Sequence, residues 1–135
     1  MTLSFFVYGT LRPGEPNHDA FLRGRTLSEE PATLPGALLY DGPGYPYVVE
    51  HPGAQVRGDL VTARPEEYPE LLKELDRLEE YTPGDPRNLY ERVAREVTTE
   101  AGRSRAWVYL AAPAVAARLR AHGTPLASGD WSLRR

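Results

Sequence analysis

The sequence predicts an α+β fold, a small mixed and mostly antiparallel sheet that curves toward a barrel and is flanked by helices. Three observations carry this. Short β-prone runs recur along the chain, at 3–8, 37–40, 47–50, 55–62, 90–98 and 104–110. Most are separated by glycine- and proline-rich bends, which favour hairpins over the long crossovers of an alternating parallel order. One long segment, 66–80, changes to helical spacing.

In chain order, Leu-Ser-Phe-Phe-Val-Tyr at 3–8 is a buried strand that stops at Gly9, and Arg12-Pro13-Gly14 extends the turn into a loop. Asn17 is expected to cap a brief helix carrying Ala20, Phe21 and Leu22, which Gly24 ends. Strands follow at 37–40 and 47–50 across the breaker-rich Asp41-Gly42-Pro43-Gly44-Tyr45-Pro46. His51-Pro52-Gly53 reads as a hairpin bend returning through 55–62. Pro65 opens the helix at 66–80, with Tyr68, Leu71, Leu72, Leu75 and Leu78 on one side. After an irregular stretch at 82–88, two strands joined at Gly102 and a helix at 114–121, stopped by Gly123, complete the chain. No repeat, linker or low-complexity tract divides it, so residues 1–135 are expected to form a single domain.

Composition excludes several classes. At 41% hydrophobic and 26% charged the chain is ordinary for a globular protein. It has no cysteine, which removes disulfides, thiolate nucleophiles and Cys-based metal sites. A net charge of −3 with scattered arginines offers no basic field for nucleic acid, and the terminal Arg134-Arg135 pair reads as solvated. No apolar run reaches the ~18 residues that span a bilayer, and the N-terminus lacks the order of a secretory signal, so a cytoplasmic protein without membrane partners is expected. His18, His51 and His122 lack ligand spacing, and no metal is expected. Phosphate-loop, metalloprotease and nucleophile-elbow signatures are also missing.

Two positions stand out. At about 100° per residue, Leu71, Leu72, Leu75 and Leu78 define an apolar arc roughly 120° wide. Glu79 falls inside that arc and Glu80 on the opposite face. A carboxylate aimed at a core must be neutralised, hydrogen-bonded or open onto a pocket, and burial would raise its pKa toward a proton-transfer role. The alternatives are that the helix ends one residue earlier and frees Glu79 into solvent, or that an arginine pairs with it. Gly9 is either a turn glycine needing positive φ or the start of a row of free backbone N–H groups that holds a carboxylate or an oxyanion. Tyr90 opens a strand soon after Glu79; its ring packs, or its hydroxyl orients the carboxylate or a substrate.

Val7-Tyr8-Gly9-Thr10-Leu11-Arg12-Pro13-Gly14 and Leu75-Asp76-Arg77-Leu78-Glu79 together resemble the γ-glutamylcyclotransferase-like family, including its small bacterial, AIG2-like members. The resemblance continues through Gly36-Ala37-Leu38-Leu39-Tyr40-Asp41, Gly44-Tyr45-Pro46, Val56-Arg57-Gly58-Asp59-Leu60, Tyr90-Glu91-Arg92, Trp107-Val108-Tyr109 and Ser128-Gly129-Asp130-Trp131. It implies a barrel-like sheet, a loop of Tyr8, Gly9, Thr10 and Leu11 that binds the glutamyl part of a small γ-glutamyl substrate, and Glu79 as acid/base. No cofactor is implied. The implied reaction closes a 5-oxoproline ring by attack of an α-amine on its own γ-carbonyl and expels an amine.

The chain departs from the family where a glycine often follows the glutamate, since Glu80 stands there. The loop leaving the helix is therefore expected to differ, and 82–88 to shape the pocket for another leaving group. A competing reading is a non-catalytic module that binds a small carboxylate or peptide end on the same fold. Glu79 weighs against it, because a second negative charge hinders carboxylate binding. A partner-binding domain would instead carry a broad exposed apolar patch.

Overall fold

The computed structural model describes residues 2–133, and Arg134-Arg135 lies outside them. Five strands close a barrel in the order β1-β3-β2-β4-β5: β1 (Ser4–Val7), β2 (Thr26–Tyr40), β3 (Tyr47–Ala63), β4 (Tyr90–Thr99) and β5 (Gly102–Ala111). All neighbours are antiparallel except β1 and β5, whose parallel pairing makes the sheet mixed. Three helices accompany it: α1 (Pro16–Phe21), α2 (Tyr68–Leu78) and α3 (Pro113–His122), with a 3-10 turn at Trp131–Leu133. Among the described residues no helix is long and apolar enough to cross a membrane.

The continuous apolar run of β1 follows from burial on both faces. Phe5 and Val7 join one core cluster, with Leu71 and Leu75 of α2 and Val115 of α3; Phe6 and Tyr8 join a second, with Leu34, Leu39, Val48, Val56, Val97 and Val108. A strand buried on both sides loses the polar half of its alternation. Leu71 and Leu75 are fully buried, and they fix which face of α2 meets the barrel.

Three expectations need correction. His51-Pro52-Gly53 does not turn a hairpin: 47–50 and 55–62 belong to one strand, β3, and both halves pair with β2. Pairing passes from Pro35↔Gln55 to Ala37↔Glu50, so the bend is a bulge inside a long ladder, with Gly53 at φ 87. The local turn chemistry was genuine, but tertiary pairing overrode it. Secondly, β2 begins at Thr26, far before residue 37. Pro31 and Pro35 disguise this stretch; both are exposed, and β2 meets β4 at only one ladder pair, Thr33↔Thr98, leaving the edge where prolines cost no hydrogen bond. Thirdly, Asn17 does not cap α1, whose N-cap is Glu15; the Asn17 side chain reaches Thr10 instead.

Candidate functional site

The site begins at the end of α2. The helix stops at Leu78, with Glu79 as its C-cap at φ −85, ψ 2. Tyr81 N–H donates back to the Asp76 carbonyl at 2.8 Å and Glu80 N–H to the Arg77 carbonyl at 3.1 Å. These are the two bonds of a Schellman motif, which places the residue after the cap in the left-handed region. Glu80 takes that position at φ 54, where a side chain costs about 1–2 kcal/mol relative to right-handed backbone. Geometry thus explains why glycine suits this position. It also corrects the assignment of Glu80 to a plain outward face: the residue is exposed, but it lines a cavity next to Glu79.

The helix does end one residue early, yet Glu79 does not escape into solvent. The cap residue still projects from the apolar side of α2 and lines a small pocket of about 50 Å³. Among the described residues no ion pair or side-chain hydrogen bond reaches its carboxylate. Burial without a partner pushes its pKa up to about 7. Asp76, one turn earlier, contrasts with it: its oxygens accept from Tyr109 Oη at 2.6 Å and from Arg92 Nε at 2.8 Å.

The opposite wall is the turn after β1. Arg12 N–H donates to the Gly9 carbonyl at 3.1 Å, and outside the strand ladders the N–H groups of Gly9, Thr10 and Leu11 donate no backbone hydrogen bond among the described residues. Gly9 lacks positive φ. It is required for a different reason, since a Cβ there would lie 2.8 Å from Pro46 Cδ and 2.9 Å from Cγ. The loop is braced at three points. Asn17 Nδ2 donates to Thr10 Oγ1 at 2.8 Å, Arg12 bridges Asp59 at 2.8 Å and Asp130 at 2.6 Å, and Tyr8 Oη donates to the Tyr109 carbonyl at 2.5 Å. Burial works against the Arg12 charge, but the two aspartates outweigh it and raise its pKa.

Tyr8, Gly9, Thr10, Leu11, Glu79 and Tyr90 line one pocket, whereas no residue of 82–88, the stretch expected to shape it, lines this pocket or the cavity beside it. The Tyr90 hydroxyl donates to the Pro46 carbonyl at 2.9 Å, so it fixes the wall that crowds Gly9 and does not bond Glu79. Its ring stacks on Tyr47 with centroids 4.9 Å apart, and burial raises its pKa. Phe6, Val7, Tyr45, Pro46 and Tyr109 complete the lining, and the last three were missed as site residues. Their only signal was their place in the fragments that carry the family resemblance, since nothing local marks a loop proline or a strand tyrosine as facing a carboxylate. A second cavity of about 240 Å³ adjoins the first and shares Thr10, Tyr45, Glu79 and Tyr90 with it.

Comparison with known proteins fits this geometry. Residues 5–133 match the family described as gamma-glutamyl cyclotransferase, AIG2-like. The gamma-L-glutamyl-butirosin B gamma-glutamyl cyclotransferase of Niallia circulans is 39% identical over 109 residues, which are 79% of this chain and 65% of that protein. Among solved structures, YkqA from Bacillus subtilis aligns with TM-score 0.67 and 26% identity over 97% of this chain and 40% of that one. A mouse AIG2-like protein aligns with TM-score 0.63 over 84% of this chain and 81% of its own; at 23% identity it speaks for the fold alone. The chain thus spans less than two thirds of the butirosin relative and of YkqA.

Proposed function

The chain belongs to the gamma-glutamyl cyclotransferase, AIG2-like family, and from that premise we propose that it is a cofactor-independent cyclotransferase acting on γ-glutamyl amines or peptides, with Glu79 as general acid/base. The observation that carries this reading is one pocket lined by both the Gly9 turn and Glu79, whose carboxylate has no ion pair among the described residues and is raised by burial to about 7.

The chemistry follows in order. The neutral α-amine attacks the γ-carbonyl carbon and forms the ring C–N bond as ionised Glu79 takes the proton that this nitrogen sheds. Negative charge gathers on the carbonyl oxygen, where the N–H groups of residues 9–11 supply hydrogen bonds. Collapse of that intermediate breaks the original amide C–N bond, and protonated Glu79 gives its proton to the departing nitrogen. The products are 5-oxoproline and a free amine, and the glutamate is restored. A base near pH 7 is better matched to an amine than a carboxylate near 4.5. Both reactive groups belong to one molecule, so the enzyme need only hold a bent conformer and exclude wrong geometries.

The test is incubation with a panel of γ-glutamyl amines and dipeptides, with 5-oxoproline measured by mass spectrometry. Formation of 5-oxoproline and the matching amine is expected from at least one. Tight binding of a γ-glutamyl compound without turnover would instead mark the non-catalytic module.

A further inference from the structure

In the cyclotransferase reading a γ-glutamyl group fills the inner pocket, and the only part of the substrate left to extend outward is the substituent on the γ-amide nitrogen. The cavity beyond Glu79 is therefore where the leaving amine must lie. Its volume of about 240 Å³ exceeds the inner pocket's 50 Å³, and its wall includes Asn17, Leu78, Glu80 and Leu89. No basic side chain lines it among the described residues.

Glu80 is the unusual member. It holds the left-handed C-cap position that glycine fills without strain, and among the described residues its carboxylate makes no ion pair. A strained non-glycine residue next to a reactive group is a reason to look for a role. Leu78 is partly buried and Leu89 is 40% exposed, so the cavity offers apolar surface beside an unpaired charge. Aliphatic carbon with a terminal cation fits that pairing. A carboxylate would meet two glutamates and no arginine or lysine.

We propose that the outer cavity is the leaving-amine site and that Glu80 selects amines carrying a second, cationic group at the end of a short aliphatic stem. This rests on the cyclotransferase reading and deepens it. Simple α-amino acids and peptides, whose leaving amines carry a carboxylate, are disfavoured by the same charge.

Three γ-glutamyl amides of similar length separate the possibilities: those of diaminobutane, pentylamine and aminobutanoate, ending in an ammonium, a methyl and a carboxylate. The readout is kcat/KM for 5-oxoproline release at low ionic strength. The ammonium compound is expected about fivefold ahead of the neutral one, and the carboxylate compound about fivefold behind it, as suits a partly exposed charge pair. E80Q, whose exposed side chain makes no contact that the fold needs, should reduce the ammonium-to-methyl ratio at least threefold. Salt at about 0.5 M should do the same to the wild type through screening. Equal kcat/KM for all three amides, or a ratio unchanged in E80Q, overturns the leaving-group assignment while leaving the cyclotransferase reading intact. Absence of 5-oxoproline from all three, with none from the wider panel, overturns the cyclotransferase reading and this inference with it.

Discussion

Two glutamates on neighbouring turns, Glu74 within α2 and Glu79 at its C-cap, stand in opposite electrostatic states. In its second half, Glu74 accepts from Arg25 Nη1 and Nη2 at 2.9 and 3.2 Å, and that hydrogen bonding holds its pKa below the usual carboxylate range. Arg25 also bonds Glu67, the N-cap of α2, at 2.8 Å and the Phe21 carbonyl of α1 at 3.1 Å, so this cluster is a structural clasp between helices. Five residues on, Glu79 is buried with no ion-pair partner among the described residues, and its pKa moves the opposite way, to about 7. Helix position does not decide what a glutamate does. A cation within reach lowers its pKa and makes it an anchor, while desolvation without one raises its pKa toward the range that the proposed proton transfer needs.

The largest expected effect breaks the comparison at Glu79. On a substrate that the wild type converts, E79Q keeps the side chain's shape but cannot cycle a proton, so kcat should fall by roughly 10²–10⁴. In the wild type the acid limb of the rate should lie near pH 7, where the carboxylate that accepts the amine proton becomes protonated. Near-normal turnover by E79Q would end the assignment.

The same pair differs in the sign of its pH-linked stability. A native pKa raised from 4.5 to about 7 means the folded state binds the extra proton between those values, so ionised Glu79 weakens the fold fully above pH 7 and not at all below about 4.5. Glu74, shifted down, contributes stability that is present above its unfolded pKa and lost as pH falls through its lower folded value. At pH 8 E79Q should therefore be more stable than the wild type by up to roughly 3 kcal/mol, with the gap closing by pH 5. Urea denaturation at both pH values measures it.

Smaller effects sharpen the contrast. Gly9→Ala should destabilise by about 1–3 kcal/mol, because its Cβ meets the Pro46 ring that Tyr90 holds in place. It should also raise KM as the wall shifts, so binding and stability fall together and not binding alone. Calorimetry and substrate titration separate the two. Arg25→Ala should cost about 1 kcal/mol, since its ion pairs are partly exposed. NMR titration should then find Glu74 back near the ordinary range and Glu79 unmoved. The least change is expected from Glu80→Gly, a gain of about 0.5–1 kcal/mol from relief of the left-handed strain, offset by glycine's greater unfolded freedom. Thermal denaturation gives the sign.

The sequence alone determined the features that repeat along a local backbone. The apolar run of β1, the leucine stripe of α2 and the β4–β5 hairpin at Gly102 are set by side-chain periodicity and turn chemistry, and each lies where that pattern put it. The arc that admitted Glu79 belongs to this class, because a helix of known pitch fixes the direction of its last side chains. The tertiary structure decided the rest. The bend at His51–Gly53 became a bulge only because β2 was long enough to pair on both sides of it. Gly9 is glycine because Pro46 packs on it from 37 positions away in sequence, and Tyr8 is held by the carbonyl of Tyr109, 101 residues downstream. Even the ionisation of Glu79 depends on this convergence. A window of sequence shows where a carboxylate points, whereas its proton affinity is set by how much water distant segments remove and whether they bring a cation in its place.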